Sequence, residues 1–161
     1  MTRLKHPPGD EALTALILEV FRLNGRLLAS GDRLVAPLGL TSARWQVLGA
    51  VHYSAAPQPV SWLARNMGLN RQGVQRIVKE LAAEGVLEFR ANPHHRRAQL
   101  VTMSEKGAAI YGAAERLQAP WANRIASGLP KRDIETATVL LGLIRERLQA
   151  ESASLRAEND G

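Results

Sequence analysis

Five long polar side chains in the middle of this sequence have the spacing of one face of an α-helix. The opposite, buried face is predicted from four apolar residues at helical spacing, which are Val74, Ile77, Val78 and Leu81. Arginine can donate two hydrogen bonds to guanine, glutamine can pair with the edge of adenine, and lysine can neutralise a phosphate. A protein that reads the DNA major groove needs such side chains, which here are Arg71, Gln72, Gln75, Arg76 and Lys79.

The position of each polar residue along this helix predicts its role. The N-terminal half of a recognition helix usually reaches deepest into the groove. We therefore expect the first four to contact bases and Lys79 to contact phosphate. Asn70 is the predicted N-cap of the helix and belongs to the same candidate set. The alternative is an ordinary solvated helix face, on which arginine and glutamine are common, so the neighbouring elements have to decide between the two.

A short helix and a tight turn are predicted directly before the polar helix. Ser61 is the predicted cap of a helix through Asn66, and Gly68 would end it. The polar helix would then run from its cap at Asn70 to about Glu84. Two short helices joined by a glycine turn predict a helix-turn-helix, whose second helix enters the major groove.

A two-stranded hairpin with a basic tip is predicted after the polar helix. Strand-like runs at 86–90 and 98–103 flank a turn-prone Asn-Pro pair. The tip carries His95, Arg96 and Arg97. Arginine suits the negative potential of a narrow minor groove, and we expect the histidine to contact phosphate. A helix-turn-helix followed by such a wing predicts binding to double-stranded DNA.

Composition and charge agree with that prediction and exclude several other classes. The 161 residues carry a formal net charge of +6, and residues 62–106 hold eight Lys or Arg against four Glu, a net charge of +4. This length predicts one compact unit. The absence of cysteine excludes disulfides, a thiol nucleophile and any Cys-ligated metal. The basic excess therefore lies mainly in the segment that is predicted to contact DNA.

The sequence shows no sign of a membrane segment, a cofactor or a catalytic site. No run of about 18 apolar residues is present, and the N-terminus lacks the apolar stretch of a signal peptide, so we expect a cytoplasmic protein. The adjacent His94 and His95 lie beside two arginines, whose charge opposes a metal ion. No nucleophile elbow, phosphate-binding loop or carboxylate pair appears. We expect no metal, no cofactor and no enzymatic activity.

The N-terminal part of the chain predicts a disordered lead-in followed by two helices. Residues 1–9 contain two prolines and a glycine near their end, and residues 10–36 are predicted to form a helix with apolar residues at steps of three and four. Thr41 is the predicted cap of a helix that runs to about Tyr53, and residues 54–59 are predicted to be a loop. The apolar face of the first helix needs a partner.

The C-terminal part predicts two more helices and a frayed tail. Ser104 is the predicted cap of a long helix through Ile125, and a second helix is predicted at 131–149. The second helix again has one apolar stripe, while residues 150–161 are polar and predicted to fray.

Residues 40–51 and 60–107 together resemble the MarR family of bacterial transcriptional regulators. The first stretch is similar to that family's second helix, and the second stretch to its helix-turn-helix, wing and onward helix. With the apolar helices at both ends, the resemblance extends over residues 10–149. The most specific part is the wing, whose pattern is matched by Arg97, Ala98, Leu100, Val101, Ser104 and Gly107. His95 stands where the family usually has the aspartate that braces the wing arginine, so we expect Arg97 to be oriented differently or to be more mobile.

The resemblance implies a mainly α fold with a small β-hairpin wing. A winged helix-turn-helix at 40–103 would lie in the sequence between dimerisation helices at 10–36 and 104–149. In the implied homodimer, two recognition helices related by a two-fold axis would engage a pseudo-palindromic operator with half-sites about 10 base pairs apart. We expect a sequence-specific transcriptional regulator that acts as a repressor, with an activator as the alternative.

The resemblance also suggests a ligand. Many members of the family release DNA when a small aromatic or phenolic anion enters a cleft between the dimer helices and the winged domain. By analogy, the candidate ligand-binding residues are Arg22, Trp45, His52, Tyr53 and Tyr111. Arg22 or a protonated His52 would attract a carboxylate, and the aromatic rings would stack on the ligand. In the alternative interpretation Trp45 is a core residue and the tyrosines serve only in packing.

Two other functions use the same sequence features. A sequence-indifferent nucleoid protein would bind DNA through the same basic stripe, with a specificity over random DNA close to one. A protein-interaction subunit would use the helical ends and would not need the basic residues of the polar helix and the wing.

Overall fold

The computed structural model describes residues 8–159, which form six α-helices and one small antiparallel sheet. The helices are α1 (Pro8–Val35), α2 (Ser42–His52), α3 (Val60–Met67), α4 (Arg71–Ala83), α5 (Glu105–Ala126) and α6 (Lys131–Asn159). The strands are β1 (Gln58–Pro59), β2 (Leu87–Arg90) and β3 (Leu100–Met103), and a short 3-10 helix covers Ala36–Leu38. This architecture confirms the predicted mainly α fold with a winged helix-turn-helix.

The chain divides into two compact units at Pro120, where the sequence predicted one. The fully buried hydrophobic residues all lie in the first unit. The apolar residues that the structure describes in the second unit are partly or largely exposed, for example Val139 with 64% and Leu148 with 57%. The prediction of one unit was wrong because it rested on chain length, which cannot show that the apolar stripe of α6 stays exposed.

The hydrophobic core of the first unit lies where α2, α3 and α4 meet the sheet. Leu48, Leu63, Leu81 and Leu87 expose 2% or less of their surface, and Val101 exposes 1%. The predicted inner face of α4 is confirmed, because three of its four residues are buried and the fourth packs against the same cluster. Burial of this face determines which side of α4 is left for solvent.

The sheet has a third strand that the sequence did not predict. Its order is β1-β3-β2, and both pairings are antiparallel. Gln58 pairs with Val101 and Pro59 with Leu100, so the predicted loop at 54–59 ends in a strand. A proline is tolerated there because β1 is an edge strand. The same pairing corrects the start of α3: Pro59 occupies the N-cap position without a side-chain cap, and Ser61 lies inside the helix.

The joint between α1 and α2 is closely packed. The backbone N–H of Ser42 donates to Asp32 Oδ1 at 2.6 Å, and Ser42 Oγ donates to the carbonyl oxygen of Leu28 at 2.7 Å. A side chain at Gly31 would collide with Ser42 Oγ, so only glycine permits this approach. Thr41 is confirmed as the cap of α2, since its Oγ1 accepts the N–H of Arg44 at 3.3 Å.

Both predicted flexible ends differ from the structure where it describes them. Residues 1–7 lie outside the described residues, but α1 already begins at Pro8, because proline is favoured in the first turn of a helix. The predicted frayed tail at 150–161 is helical as far as Asn159. Polar composition does not exclude a helix there, and the hydroxyls of Ser152 and Ser154 are accommodated by donating to the carbonyls of Leu148 and Ala150 within it.

Candidate nucleic-acid interface

Helix α4 begins at a side-chain cap and carries the predicted polar residues on its solvent side. The Oδ1 atom of Asn70 accepts the N–H groups of Gln72 at 2.7 Å and of Gly73 at 3.4 Å, which confirms the predicted cap. Gly68 ends α3 in the left-handed conformation with φ 65°, as the predicted turn requires. The cap occupies the Oδ1 atom of Asn70, so its amide nitrogen is the part that remains for DNA.

The structure places the five predicted DNA-contacting residues of α4 together on one surface. Arg71, Gln72, Arg76 and Lys79 are exposed, and Gln75 is half-buried. They line one shallow open depression. We call this surface, made of Arg71, Gln72, Gln75, Arg76 and Lys79, the recognition face. Its contact with DNA stays a prediction, but its residue types and exposure are those of a groove-reading helix.

Glu80 also lines the depression, although the sequence pattern did not point to it. Its Oε1 atom lies 4.0 Å from Nη1 of Arg76, one helical turn earlier. The spacing of four residues is the signal that could have identified this pair. Both side chains are exposed, so the ion pair is weak and Arg76 can exchange it for a DNA contact.

The C-terminal end of α4 is held by two basic residues from neighbouring helices. Arg44 of α2 forms an ion pair with the carboxylate of Glu84, and its Nη1 donates to the carbonyl of Gly39 at 3.2 Å. Lys106 Nζ of α5 donates to the backbone carbonyl of Glu84 at 2.7 Å. Cations near the carbonyl end of a helix are favourable. These contacts fix the direction of the recognition face relative to α2 and α5.

The wing consists of β2, β3 and the connecting residues 91–99. Leu87 pairs with Met103 and Arg90 with Leu100, so the strands are in register up to the tip. His95, Arg96 and Arg97 are exposed at the tip, as predicted. Within the residues that the structure describes, neither arginine forms an ion pair or a hydrogen bond with the protein. Both charges are therefore available to an external anion.

Ser104 joins the wing to α5. Its Oγ lies 2.7 Å from the carbonyl oxygen of Gly85 and 3.0 Å from that of Val86, and it accepts the N–H of Gly107 at 3.0 Å. Ser104 N–H also donates to the carbonyl of Val86 at 3.2 Å. The predicted role of Ser104 as a helix cap is confirmed by the contact with Gly107. This joint sets where the wing leaves the helical body.

Three of the five candidate ligand residues form one aromatic cluster between α2 and α5. The His52 ring lies 4.6 Å from the Tyr111 ring and 5.0 Å from the Tyr53 ring, centroid to centroid. The Tyr53 hydroxyl donates to Glu115 Oε1 at 3.2 Å. Tyr111 is only 5% exposed, whereas Tyr53 is 74% exposed. Burial, followed by the hydrogen bond with Tyr53, raises the pKa of Tyr111 above its ordinary value.

The other two candidate ligand residues lie outside this cluster. Trp45 is half-buried and packs against the hydrophobic core. Arg22 is exposed on α1 and forms an ion pair with Glu19 of the same helix at 3.2 Å. Among the residues that the structure describes, no group of three or more His, Cys, Asp or Glu could hold a metal ion. In the same part of the chain, no helix is long and apolar enough to cross a membrane.

Comparison with known proteins identifies relatives along almost the whole chain. A model of the MarR family matches residues 38–98, which include α2, the helix-turn-helix and most of the wing. The chain is 32% identical over 149 residues to the uncharacterised protein Rv2011c of Mycobacterium tuberculosis, an alignment that covers 92% of this chain and 98% of that protein.

Two solved structures are also similar. One is a MarR mutant from E. coli in complex with operator DNA, with a TM-score of 0.66 and 25% identity over 80% of this chain and 94% of the other. The second is CouR from Rhodococcus jostii RHA1 bound to p-coumaroyl-CoA, with a TM-score of 0.72 and 22% identity over 80% of this chain and 90% of the other. The likeness to CouR shows a shared fold.

Proposed function

This chain belongs to the MarR family of transcription regulators, and we propose that it binds a specific double-stranded operator as a homodimer and represses the genes beside it. The observation that carries the proposal is the pairing of two basic surfaces. The recognition face is exposed on a capped helix, and the wing next to it carries two arginines without an internal counter-charge. The solved complex of E. coli MarR with operator DNA supports it.

The two surfaces have different tasks in the proposed complex. Arginine and glutamine at the start of α4 select the sequence through base edges, because only the groove edges differ between base pairs. Lys79, Arg96 and Arg97 contact the sugar-phosphate backbone, with His95 as a further phosphate ligand. Asn70 is at the point where α4 enters the groove. Affinity and specificity are therefore separable by mutation.

The proposed homodimer follows from the apolar side chains that α1 and α6 leave exposed. On α1, Phe21 exposes 68% and Leu23 exposes 51% of its surface. On α6, Val139 and Leu148 are exposed to a similar degree. Apolar patches of this kind that are exposed to water mark an interaction site. A second copy of the chain presents the same faces and so completes the interface with two-fold symmetry.

Sedimentation equilibrium tests the dimer. We expect one species of twice the chain mass of 17.6 kDa. Phe21→Asp should shift it towards the monomer, because a charge would be buried in the interface. Ala29→Asp is the control, since Ala29 is exposed and lies nine residues after Val20 of the same apolar face, and thus on the opposite side of α1. A wild-type protein that stays monomeric at micromolar concentration would contradict the proposal.

Fluorescence anisotropy across a range of salt concentrations tests operator binding. The probes are a duplex from the promoter next to the gene and a random duplex of the same length. Arg76→Ala should weaken promoter binding by about 5- to 150-fold, since one base contact contributes about 1–3 kcal/mol. Arg97→Ala should instead lower the slope of log affinity against log salt by about 0.9 for each phosphate that the arginine neutralises. Arg116→Ala, another exposed arginine, is the control.

The outcomes of this titration separate the proposed regulator from its rivals. Equal affinity for both duplexes at every salt concentration would indicate a nucleoid-type protein and contradict sequence-specific regulation. Dimerisation with no DNA binding at all would indicate a protein-interaction subunit. A reporter gene behind the bound promoter then distinguishes repression from activation.

We further propose that a small aromatic anion releases this protein from DNA by binding near the cluster of His52, Tyr53 and Tyr111. The exposed Tyr53 ring offers a stacking surface, and the His52 imidazole can attract a carboxylate when it is protonated. CouR, which shares the fold, has been solved with p-coumaroyl-CoA. A ligand can act only by binding one state more tightly than the other. Trp45 and Arg22 are secondary candidates because both lie outside the cluster.

Thermal-shift screening with aromatic acids, followed by displacement of the labelled promoter duplex, tests this ligand site. A hit should raise the melting temperature and release DNA, and Tyr53→Ala should reduce both effects. Release that is unchanged by Tyr53→Ala would place the ligand elsewhere, and the absence of any hit would favour regulation without a ligand.

A further inference from the structure

The tip of the wing is closed by a single side-chain amide. Asn92 Nδ2 donates to the backbone carbonyl of Ala98 at 2.9 Å, across the loop. Its Oδ1 accepts the N–H of His94 at 3.0 Å, two residues further along the chain. The side chain is half-buried, in contrast to the exposed residues 93–97 of the same loop. Both ends of one amide are thus used to close the loop.

The two hydrogen bonds of the Asn92 amide form a bridge across the loop, and two backbone hydrogen bonds complete the turn inside it. His95 N–H donates to the carbonyl of Asn92 at 3.3 Å, and Ala98 N–H donates to the carbonyl of His95 at 3.0 Å. Arg96 and Arg97 lie within the second of these turns. Ordering a loop residue costs about 1–2 kcal/mol of conformational entropy. A turn that is ordered before DNA arrives does not incur that cost on binding.

The bridge is neutral, and this matters for the wing arginines. A carboxylate that braced the loop by pairing with Arg97 would compete with DNA phosphate for that arginine. It would either have to be displaced when phosphate binds or would partly neutralise the positive charge of Arg97. Within the described part of the chain Arg96 and Arg97 have no such partner. An amide orders the loop through backbone groups alone and leaves both positive charges for phosphate.

We propose that Asn92 is a positioning residue for DNA binding, which holds the turn that presents Arg96 and Arg97 to the phosphate backbone without neutralising them. The inference rests on the proposed function, since it concerns the same DNA surface. The wing turn is thus ordered by a neutral side chain that is not one of the basic DNA-contacting residues. Asn92 acts through the arginines and does not itself contact DNA.

A double-mutant cycle tests this role. Asn92→Ala should weaken binding to both the promoter duplex and the random duplex by about tenfold, because phosphate contacts are independent of sequence. In a protein that already carries Arg96→Ala and Arg97→Ala, the same substitution should have a much smaller effect, limited to the contact of His95, since most of its effect passes through the two arginines. Gln99→Ala is the matched control, an exposed amide in the same loop with no protein hydrogen bond among those described.

Stability and salt dependence separate positioning from general damage. The melting temperature of Asn92→Ala should equal that of Gln99→Ala, and the salt slope of its DNA affinity should fall towards that of the double arginine variant. Unchanged affinity in Asn92→Ala, or an equal loss in the background without arginines, would overturn the inference. Equal wild-type affinity for both duplexes would overturn the proposed regulator instead, while the effect of Asn92→Ala on that common affinity would still decide the role of Asn92.

Discussion

Gly107→Ala should destabilise the protein at the joint between the wing and α5. A Cβ atom at this position would overlap the carbonyl oxygen of Val86 and lie 2.8 Å from Met103 Cγ. The Val86 carbonyl cannot withdraw freely, because it accepts a hydrogen bond from Ser104 N–H and lies 3.0 Å from Ser104 Oγ. Overpacking costs about 1–3 kcal/mol and a strained hydrogen bond about 0.5–1.5 kcal/mol. We therefore expect a loss of about 2–4 kcal/mol.

Thermal unfolding followed by circular dichroism measures this loss. In a chain of this length the expected fall in melting temperature is on the order of 10 °C. All variants must be compared at one protomer concentration, because dimerisation contributes to the apparent stability. The substitution should also weaken DNA binding, since it displaces the base of the wing.

Gly112→Ala is the matched control on the same helix. Its new Cβ would meet only Nη1 of Arg116 at 3.6 Å, an ordinary contact with the end of a flexible side chain. Alanine is favoured over glycine in a helix by about 1 kcal/mol, so this variant should be as stable as the wild type or more stable. If Gly107→Ala were as stable as Gly112→Ala, the close approach of α5 to Val86 would be refuted.

Three further predictions concern other contacts of the DNA-binding unit. Asn70→Ala removes the cap of α4 and should lower the free energy of unfolding in urea by about 1 kcal/mol; an unchanged midpoint would show that the cap is not needed. Arg44→Met removes the ion pair with Glu84 and should cost about 1–3 kcal/mol, whereas Lys131→Met, which removes an exposed pair, should cost less than about 1 kcal/mol. Because the pKa of Tyr111 is raised in the folded state, the unfolded chain loses the Tyr111 proton first, so the free energy of unfolding is highest at neutral pH and declines above about pH 10. Tyr111→Phe should flatten that alkaline decline. Parallel stability curves for the two proteins would contradict the assignment.

Local signals in the sequence were sufficient for the helix-turn-helix. The caps at Thr41 and Asn70 and the end of α3 at Gly68 were predicted, and the structure confirms all three. Each of these depends on residues within one turn of the site, such as an oxygen that accepts the first free N–H groups. The recognition face follows in the same way, because the helical period determines which residues are opposite the buried valines.

Contacts between distant residues could not be predicted in this way. Arg44 and Glu84 are 40 positions apart, and nothing in either neighbourhood indicates the other. The same holds for β1, whose two residues pair with β3 far along the chain. Two residues are too short to show the alternation that identifies a strand. These are the contacts that orient α4 and complete the sheet, so they had to be seen in three dimensions.

The wing shows how a local pattern can be correct about a turn and still miss its function. The Asn-Pro pair predicted the turn, but composition cannot show that the Asn92 amide reaches the carbonyl of Ala98 on the far side of the loop. The replacement of the usual wing aspartate by His95 suggested a differently oriented arginine at position 97. The structure supplies a physical alternative, because an amide bridge orders the loop through the backbone. We infer that the wing keeps its shape without a charged brace, which leaves Arg96 and Arg97 without an internal counter-charge among the described residues.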